Sequence, residues 1–362
     1  MTGFFYFKGD LKMKRSLKTV FAFGSMLFLL TGCGELPSSI SSSDSSATTS
    51  SSESSSNSSS SSSSDVSSSS SSNSDTSSSS SSSNPFDPVY DGHYYDSLDT
   101  SKNGDAFRRD LGGLISAGFI KKTYNELPTL YVDKGADMVN GKMIGFYTGT
   151  EYNGYASNMN KEHVWPQSWY GYTSGTGTGT PGSDAHNVYP CDGQLNNVRS
   201  SYPFDEIEQK NEWRAYEQGS SGSYGQGGNG NLDYATPGDP DSYNYVRKTS
   251  SPNAFMPRDI YRGKVARSIF YVATRYYKES NYKITVTTDT ITSKDNDVGK
   301  IGNLVTLLKW NLEFAPDEFD NNRNNIIHND WHGNRNPFVD HPDYACKIWG
   351  NTNSETKAIC GM

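Results

Sequence analysis

The chain is short of cysteine, of net positive charge and of long apolar runs. Only 4 of its 362 residues are Cys. No Cys-x-x-Cys pair occurs, which excludes the cysteine-rich zinc modules. Acidic residues outnumber basic ones, 40 to 32, for a net charge of −8. That excludes a histone-like polycation. The longest apolar run, Val20 to Leu30, falls short of the roughly 20 residues that a bilayer-spanning helix needs. No repeat of fixed period is present. Hydrophobic residues make up 33%, a low share that one tract explains, because residues 38–83 hold 34 serines in 46 positions. Such a segment buries too little apolar surface to offset its ordering entropy and is predicted to be disordered. One continuous domain is therefore excluded.

The amino terminus reads as an export signal. Lys12, Lys14, Arg15 and Lys18 precede the apolar run, and Leu30-Thr31-Gly32-Cys33 closes it. Small residues before a cysteine at this place resemble the bacterial lipoprotein signal, with residues 1–33 as the signal peptide. The resemblance implies that Cys33 is lipidated and becomes the mature first residue. The protein would then sit on the extracellular face of the cell membrane, held by a lipid anchor, or be secreted. Residues 34–83 read as a tether, and a flexible coil of the 46-residue serine tract spans about 35–40 Å. Residues 84–362 form the folded part, long enough for a sizeable core. Cys191, Cys346 and Cys360 remain there. A bridge between Cys346 and Cys360 would pin the C-terminus by about 3 kcal/mol in the chain-entropy model, leaving Cys191 free.

Periodicity predicts helices over 106–120, 264–277, 301–314 and 316–331. The second reads as amphipathic, with Val265, Ile269, Val272 and Tyr276 on one stripe. Strands are expected over 142–147, 161–165 and 186–189, with Asp192 capping a helix that runs toward Arg199. Gly-rich stretches at 171–183 and 219–230 read as loops. The fold class is α+β, rich in helix.

Chemistry concentrates in Asn160-Lys161-Glu162-His163-Val164-Trp165-Pro166, then Ser183-Asp184-Ala185-His186-Asn187, then Asp192 to Arg199. Neighbours in a strand point to opposite faces, but at a strand end Glu162 and His163 can flank one site. Glu162 and Asn196 offer two hard oxygens, a set that suits Mg²⁺ with water completing the shell. Mn²⁺ and Ca²⁺ also take oxygen ligands. A neutral His163 can take a proton from water. Together these groups suit metal-assisted phosphodiester hydrolysis, and Arg199 would add charge at the same phosphate.

This block resembles the bacterial endonuclease I family, within the ββα-metal (His-Me finger) nucleases. The resemblance rests on Glu162-His163 with Trp165-Pro166-Gln167-Ser168, on Ser183-Asp184-x-His186-Asn187, and on Asn196-Asn197-x-Arg199-Ser200. It extends through Arg262-Gly263-Lys264-Val265-Ala266-Arg267 and through Gly333 to Pro342. It implies a ββα-metal core in a helix-rich domain, His163 as general base, and Mg²⁺ on Glu162 and Asn196. It also implies a non-specific endonuclease that cuts DNA, and often RNA, leaving 5′-phosphate ends. A monomer is expected, since such an enzyme has no need of a two-fold axis.

Other residues carry plainer expectations. His186 would orient or hydrogen-bond, and Asn197 would be structural. His328 and His332 stand at i,i+4 spacing without a third ligand, which favours packing over zinc. Arg335, Asp340 and His341 would organise the fold. The folded part is net acidic, 27 basic against 34 acidic residues, so phosphate binding must rely on local field. Lys248, Arg258, Arg262, Lys264, Arg267 and Arg275 cluster in sequence, with Arg262, Lys264 and Arg267 expected at the substrate. For Arg267 and Arg275, pairing with acids across helices is an equal prospect. Two rivals stand beside the nuclease: a non-enzymatic adhesion module on a serine stalk, and a metal hydrolase of another phosphodiester or a cell-wall polymer.

Overall fold

A long helix, Asp259–Arg275, runs through the middle of the fold, and helices and short strand ribbons pack on it. The computed structural model describes residues 92–169, 177–207, 213–216, 244–247, 253–277, 282, 284–289 and 299–362. The export signal with Cys33, the serine tether, the 219–230 loop and Lys248 lie outside the described residues.

In chain order the elements are α1 (Gly104–Leu114), β1 (Met138–Val139), β2 (Lys142–Ile144), β3 (Glu151–Tyr152), β4 (Met159–His163) and β5 (Val188–Asp192). Then come α2 (Gly193–Arg199), β6 (Trp213–Tyr216), β7 (Asn244–Arg247), β8 (Ala254–Met256), α3 (Asp259–Arg275), β9 (Ile284–Val286) and β10 (Gly299–Ile301). Last are α4 (Leu304–Glu313), α5 (Glu318–Asp330), α6 (Pro337–Asp340), α7 (Tyr344–Trp349) and α8 (Ser354–Ile359). Strands β1–β2–β3 and β6–β7–β8 form antiparallel sheets, β4 pairs antiparallel with β5, and β9 pairs parallel with β10. The architecture is mixed helix and small sheets, an α+β fold. Among the described residues no helix is long and apolar enough to cross a membrane.

The β4–β5 ribbon lies between two apolar clusters, which fixes its register. Tyr189 and Cys191 of β5 belong to the large cluster with Val265, Ile269, Leu307 and Trp310. Val188 of β5 and Met159 of β4 belong to a smaller cluster with Leu130, Tyr131, Ile327 and Trp331. A one-residue slip would send each set to the wrong side. Pro190 is tolerated inside β5 because both strands of a two-stranded ribbon are edges, and its carbonyl accepts from the Phe146 N–H at 2.7 Å. The strand therefore runs on to Asp192, beyond the expected stop at Tyr189. The Asp192 carboxylate accepts from the N–H groups of Gln194 and Leu195 at 2.9 and 3.0 Å and starts α2, as its position predicts.

The amphipathic reading of α3 needs correction. Every residue from Tyr261 to Arg275 is buried, because α1, α4, α6 and β9 cover it from several sides. Its polar residues face neighbouring elements rather than water. Cys346 and Cys360 form a disulfide, and Cys191 is a buried free thiol that burial pushes well up, away from the reactive thiolate.

Candidate active site

The site is built at the end of the β4–β5 ribbon. Glu162 stands opposite Tyr189 and His163 opposite Val188, so the two leave the strand toward different faces. On the α2 side, Glu162 is 2% exposed. Its Oε1 accepts from the Tyr147 hydroxyl at 2.8 Å and forms an ion pair with Arg199 Nε at 3.0 Å. Burial pushes the Glu162 carboxyl up, while Arg199 and the Tyr147 hydroxyl pull it back toward the charged form. Tyr147 reaches this position with a φ of 71°, in the left-handed region that a bulky side chain seldom adopts and that costs about 1–3 kcal/mol. Asn244 Nδ2 donates to its carbonyl at 3.1 Å and holds the turn.

Arg199 is fully buried. Besides Glu162 it engages the carbonyls of Val164 and Ser200, at 2.7 and 2.8 Å. The guanidinium pairs with Glu162 and fixes the chain just after His163. Asn196 lies one turn earlier on α2, half-buried, with no side-chain partner among the described residues.

On the other face, His163 is half-buried. Its Nε2 lies 3.0 Å from the carbonyl oxygen of Gly182. The Gln167 amide nitrogen lies 3.0 Å from Nε2 and 3.5 Å from Nδ1, and the Tyr124 ring stacks on the imidazole at 5.6 Å. A carbonyl only accepts, so the Gly182 contact assigns the proton to Nε2 and the lone pair to Nδ1, an assignment that turns the Gln167 amide so that its oxygen rather than its nitrogen faces Nε2. Burial pushes the His163 pKa down to about 4; the Gly182 contact opposes this, and the charges of Arg199 and Lys161 add to it. The ring is therefore neutral at pH 7.

The Ser183-Asp184-x-His186-Asn187 run explains how the Gly182 carbonyl is held. Asn187 Oδ1 accepts from the Trp165 N–H at 2.8 Å while its Nδ2 donates to the Pro181 carbonyl at 2.9 Å. One amide thus ties the loop carrying Gly182 to the chain after His163. Asp184 accepts from Tyr271 of α3 and from Tyr276 just after it, both at 2.8 Å. Burial alone would raise its carboxyl, but His332, His186 and these partners hold it below the usual range. His186 is buried against the Tyr271 ring, its pKa pushed down to about 3 by burial, and it orients rather than reacts. Arg323 braces the ribbon from α5 through the carbonyls of Ala185 and Val188 and an ion pair with Asp137 at 3.0 Å.

Lys264, Arg267 and Arg262 of α3 are engaged by protein groups. Lys264 Nζ lies 2.7 Å from Asp317 and 3.1 Å from Asp320, on the wall of a pocket of about 280 Å³ that contains neither His163 nor Asn196. Arg267 pairs with Asp320 at 2.8 Å and donates to the Phe314 carbonyl. Arg262 is buried, with Nε donating to the Pro257 carbonyl at 3.1 Å. Lys264 and Arg267 are thus paired with Asp317 and Asp320, and Arg262 is held by a backbone carbonyl, on a helix that the fold encloses. Arg335 makes a two-point contact with Asp340, at 2.7 Å on each oxygen. His328 and His332 lie 3.1 and 2.8 Å from the carbonyl oxygens of Gly333 and Ile120, which are packing roles.

Sequence reasoning missed Tyr147, Tyr124 and the Gly182 carbonyl. A carbonyl has no sequence signature. Tyr147 had one weak signal, its place where an apolar strand pattern breaks into Thr148-Gly149.

Residues 102–343 match the Endonuclease I family. An extracellular ribonuclease of Bacillus amyloliquefaciens is 31% identical over 268 residues, 72% of this chain and 80% of that protein. An extracellular ribonuclease of Bacillus subtilis strain 168 is 30% identical over 263 residues, 71% of this chain and 78% of that protein. The matched span contains the whole of the ribbon, α2 and the α3–α5 brace, so the chain belongs to the Endonuclease I family and is a nuclease, a phosphodiester hydrolase.

Proposed function

We propose that the protein is an exported, lipid-anchored endonuclease with a ββα-metal (His-Me finger) core, acting on nucleic acid outside the cell. One observation carries the mechanism: the Gly182 carbonyl fixes the proton on Nε2 of a neutral His163, leaving Nδ1 as the base. His163 Nδ1 takes a proton from the attacking water, which forms the new bond to phosphorus as the bond to the 3′ oxygen breaks, and the leaving 3′ oxygen takes a proton from solvent water, giving a 5′-phosphate and a 3′-hydroxyl. Export is supported by the extracellular relatives and by the leader that ends at Cys33.

Endonuclease I nucleases are generally divalent-metal dependent, and the donors present fit such an ion. Glu162 uses Oε1 for Tyr147 and Arg199, and Oε2 has no partner among the described residues. With the Asn196 amide oxygen it would hold Mg²⁺, which supplies charge stabilisation at the phosphate and the leaving oxygen. Arg199 and Tyr147 favour the charged carboxylate against the upward push of burial.

Both DNA and RNA are proposed substrates, and the ribonuclease relatives favour RNA. The test is incubation of the purified chain with plasmid DNA and with single-stranded RNA, with and without EDTA. Cleavage of RNA that EDTA abolishes and added Mg²⁺ restores is expected. Cleavage indifferent to EDTA would overturn the metal role, and RNA left intact while plasmid is cut would overturn the substrate preference.

A further inference from the structure

With Arg199, Arg262, Lys264 and Arg267 all committed to the protein, the substrate phosphate needs another cation near His163. Lys161 stands two residues before His163 on β4 and on the same face of the strand. Its Nζ sits 4.1 Å from the centre of the Tyr124 ring, the ring that also stacks on His163, and 5.6 Å from that of Tyr155. No carboxylate pairs with it among the described residues, in contrast to Lys264. It is half-buried rather than enclosed. Neighbouring Lys122, half-buried with its Nζ over the Trp331 ring at 4.8 Å, and exposed Lys121 precede Tyr124 in the chain. The Lys122 carbonyl accepts from Gly179 of the loop that carries Gly182. The acid of this corner, Glu126, accepts from the Thr123 N–H and hydroxyl and feels the charge of Lys122, but makes no ion pair with Lys161.

We infer that Lys161 is the phosphate-binding cation of the active site, with Tyr124 holding its ammonium and the His163 imidazole against one ring. The inference rests on the nucleic-acid reading above and names the residue that recognises the backbone. Aromatic faces hold an ammonium without neutralising it, so Lys161 is positioned yet keeps its charge for a phosphate. A ribose or deoxyribose backbone serves equally, since the contact is to the phosphate alone.

The test is steady-state cleavage of a fluorogenic single-stranded RNA by the full chain, its Lys161→Gln variant and its Lys161→Arg variant, over about 50 to 200 mM NaCl. Lys161→Gln is expected to raise KM about tenfold with a smaller change in kcat, and to flatten the slope of log(kcat/KM) against log[NaCl] by about 0.7, the share of one phosphate contact on a single strand. Lys161→Arg should keep the slope and stay within about threefold in KM, since it retains the charge. An unchanged slope in Lys161→Gln overturns the inference even if KM or the melting temperature moves, because lost packing does not alter counterion release. If the unmodified chain cut no RNA, the substrate reading would fall with it. A cutting enzyme whose slope ignores residue 161 refutes only the role of Lys161.

Discussion

Two groups of cations differ in what surrounds them. On α3, Lys264 and Arg267 lie buried and share Asp320, while Arg323 on α5 pairs with Asp137 beneath the ribbon. On β4, Lys161 meets aromatic rings and no acid among the described residues. The first arrangement fastens helices together, and a charge so neutralised has little field left for a ligand. The second leaves a positive charge beside a neutral imidazole. Closeness of basic residues in sequence therefore does not tell which of them keep an unpaired charge; the acids that reach them in space do.

Removing the shared carboxylate strains this comparison most. Asp320→Ala strips Arg267 of its acid and leaves Lys264 only the half-exposed Asp317. A loss of about 3–5 kcal/mol in urea unfolding is expected, with cleavage per folded molecule within about threefold of the parent because the site is not touched. A large loss of turnover at full stability would move α3 back to the substrate. The disulfide comes next. Cys346→Ser with Cys360→Ser opens a loop of sequence separation 14 and should cost about 3 kcal/mol, read by the same unfolding measurement, again with little change in turnover.

Tyr147→Phe acts at the site with a smaller effect on the fold. Loss of the hydroxyl that donates to Glu162 should cost about 1–2 kcal/mol. It should also let the Glu162 carboxyl rise further, since that hydrogen bond pulls it down. The Mg²⁺ concentration for half-maximal cleavage should increase, and an unchanged requirement would detach Glu162 from the metal. The gentlest probe is titration of the His163 Cε1–H resonance. A midpoint near pH 4 is expected. Because this value lies below the unfolded one of about 6.5, the associated stability is present above pH 6.5 and lost as pH falls toward 4. A midpoint near 6.5 would mean that burial does not disfavour the charged ring as described.

The strand–strand–helix block was legible because each part has a local cause. Asp192 caps α2 through its own side chain, Trp165-Pro166 follows the end of β4, and the apolar alternation of Val188 and Tyr189 sets the register. The Cys346–Cys360 pairing followed from nearness in sequence. What stayed hidden depends on partners far along the chain. Asp320 reaches Arg267 across 53 residues and Asp184 reaches Tyr276 across 92, so neither burial nor neutralisation of those groups is written locally. For Arg199, charge type suggested a phosphate, whereas its pairing with Glu162 is visible only in space. The extension of β5 through Pro190 was missed because proline reads as a stop until the strand is known to be an edge.

The most direct measurement is Mg²⁺-supported RNA cleavage by a His163→Ala variant against the unmodified chain, with urea unfolding of both. The account predicts a rate lowered about 10²–10⁴-fold while the unfolding free energy stays within about 1 kcal/mol. Full nicking or cleavage activity in the folded variant would contradict it, because no other described side chain has been given the task of taking the proton from water.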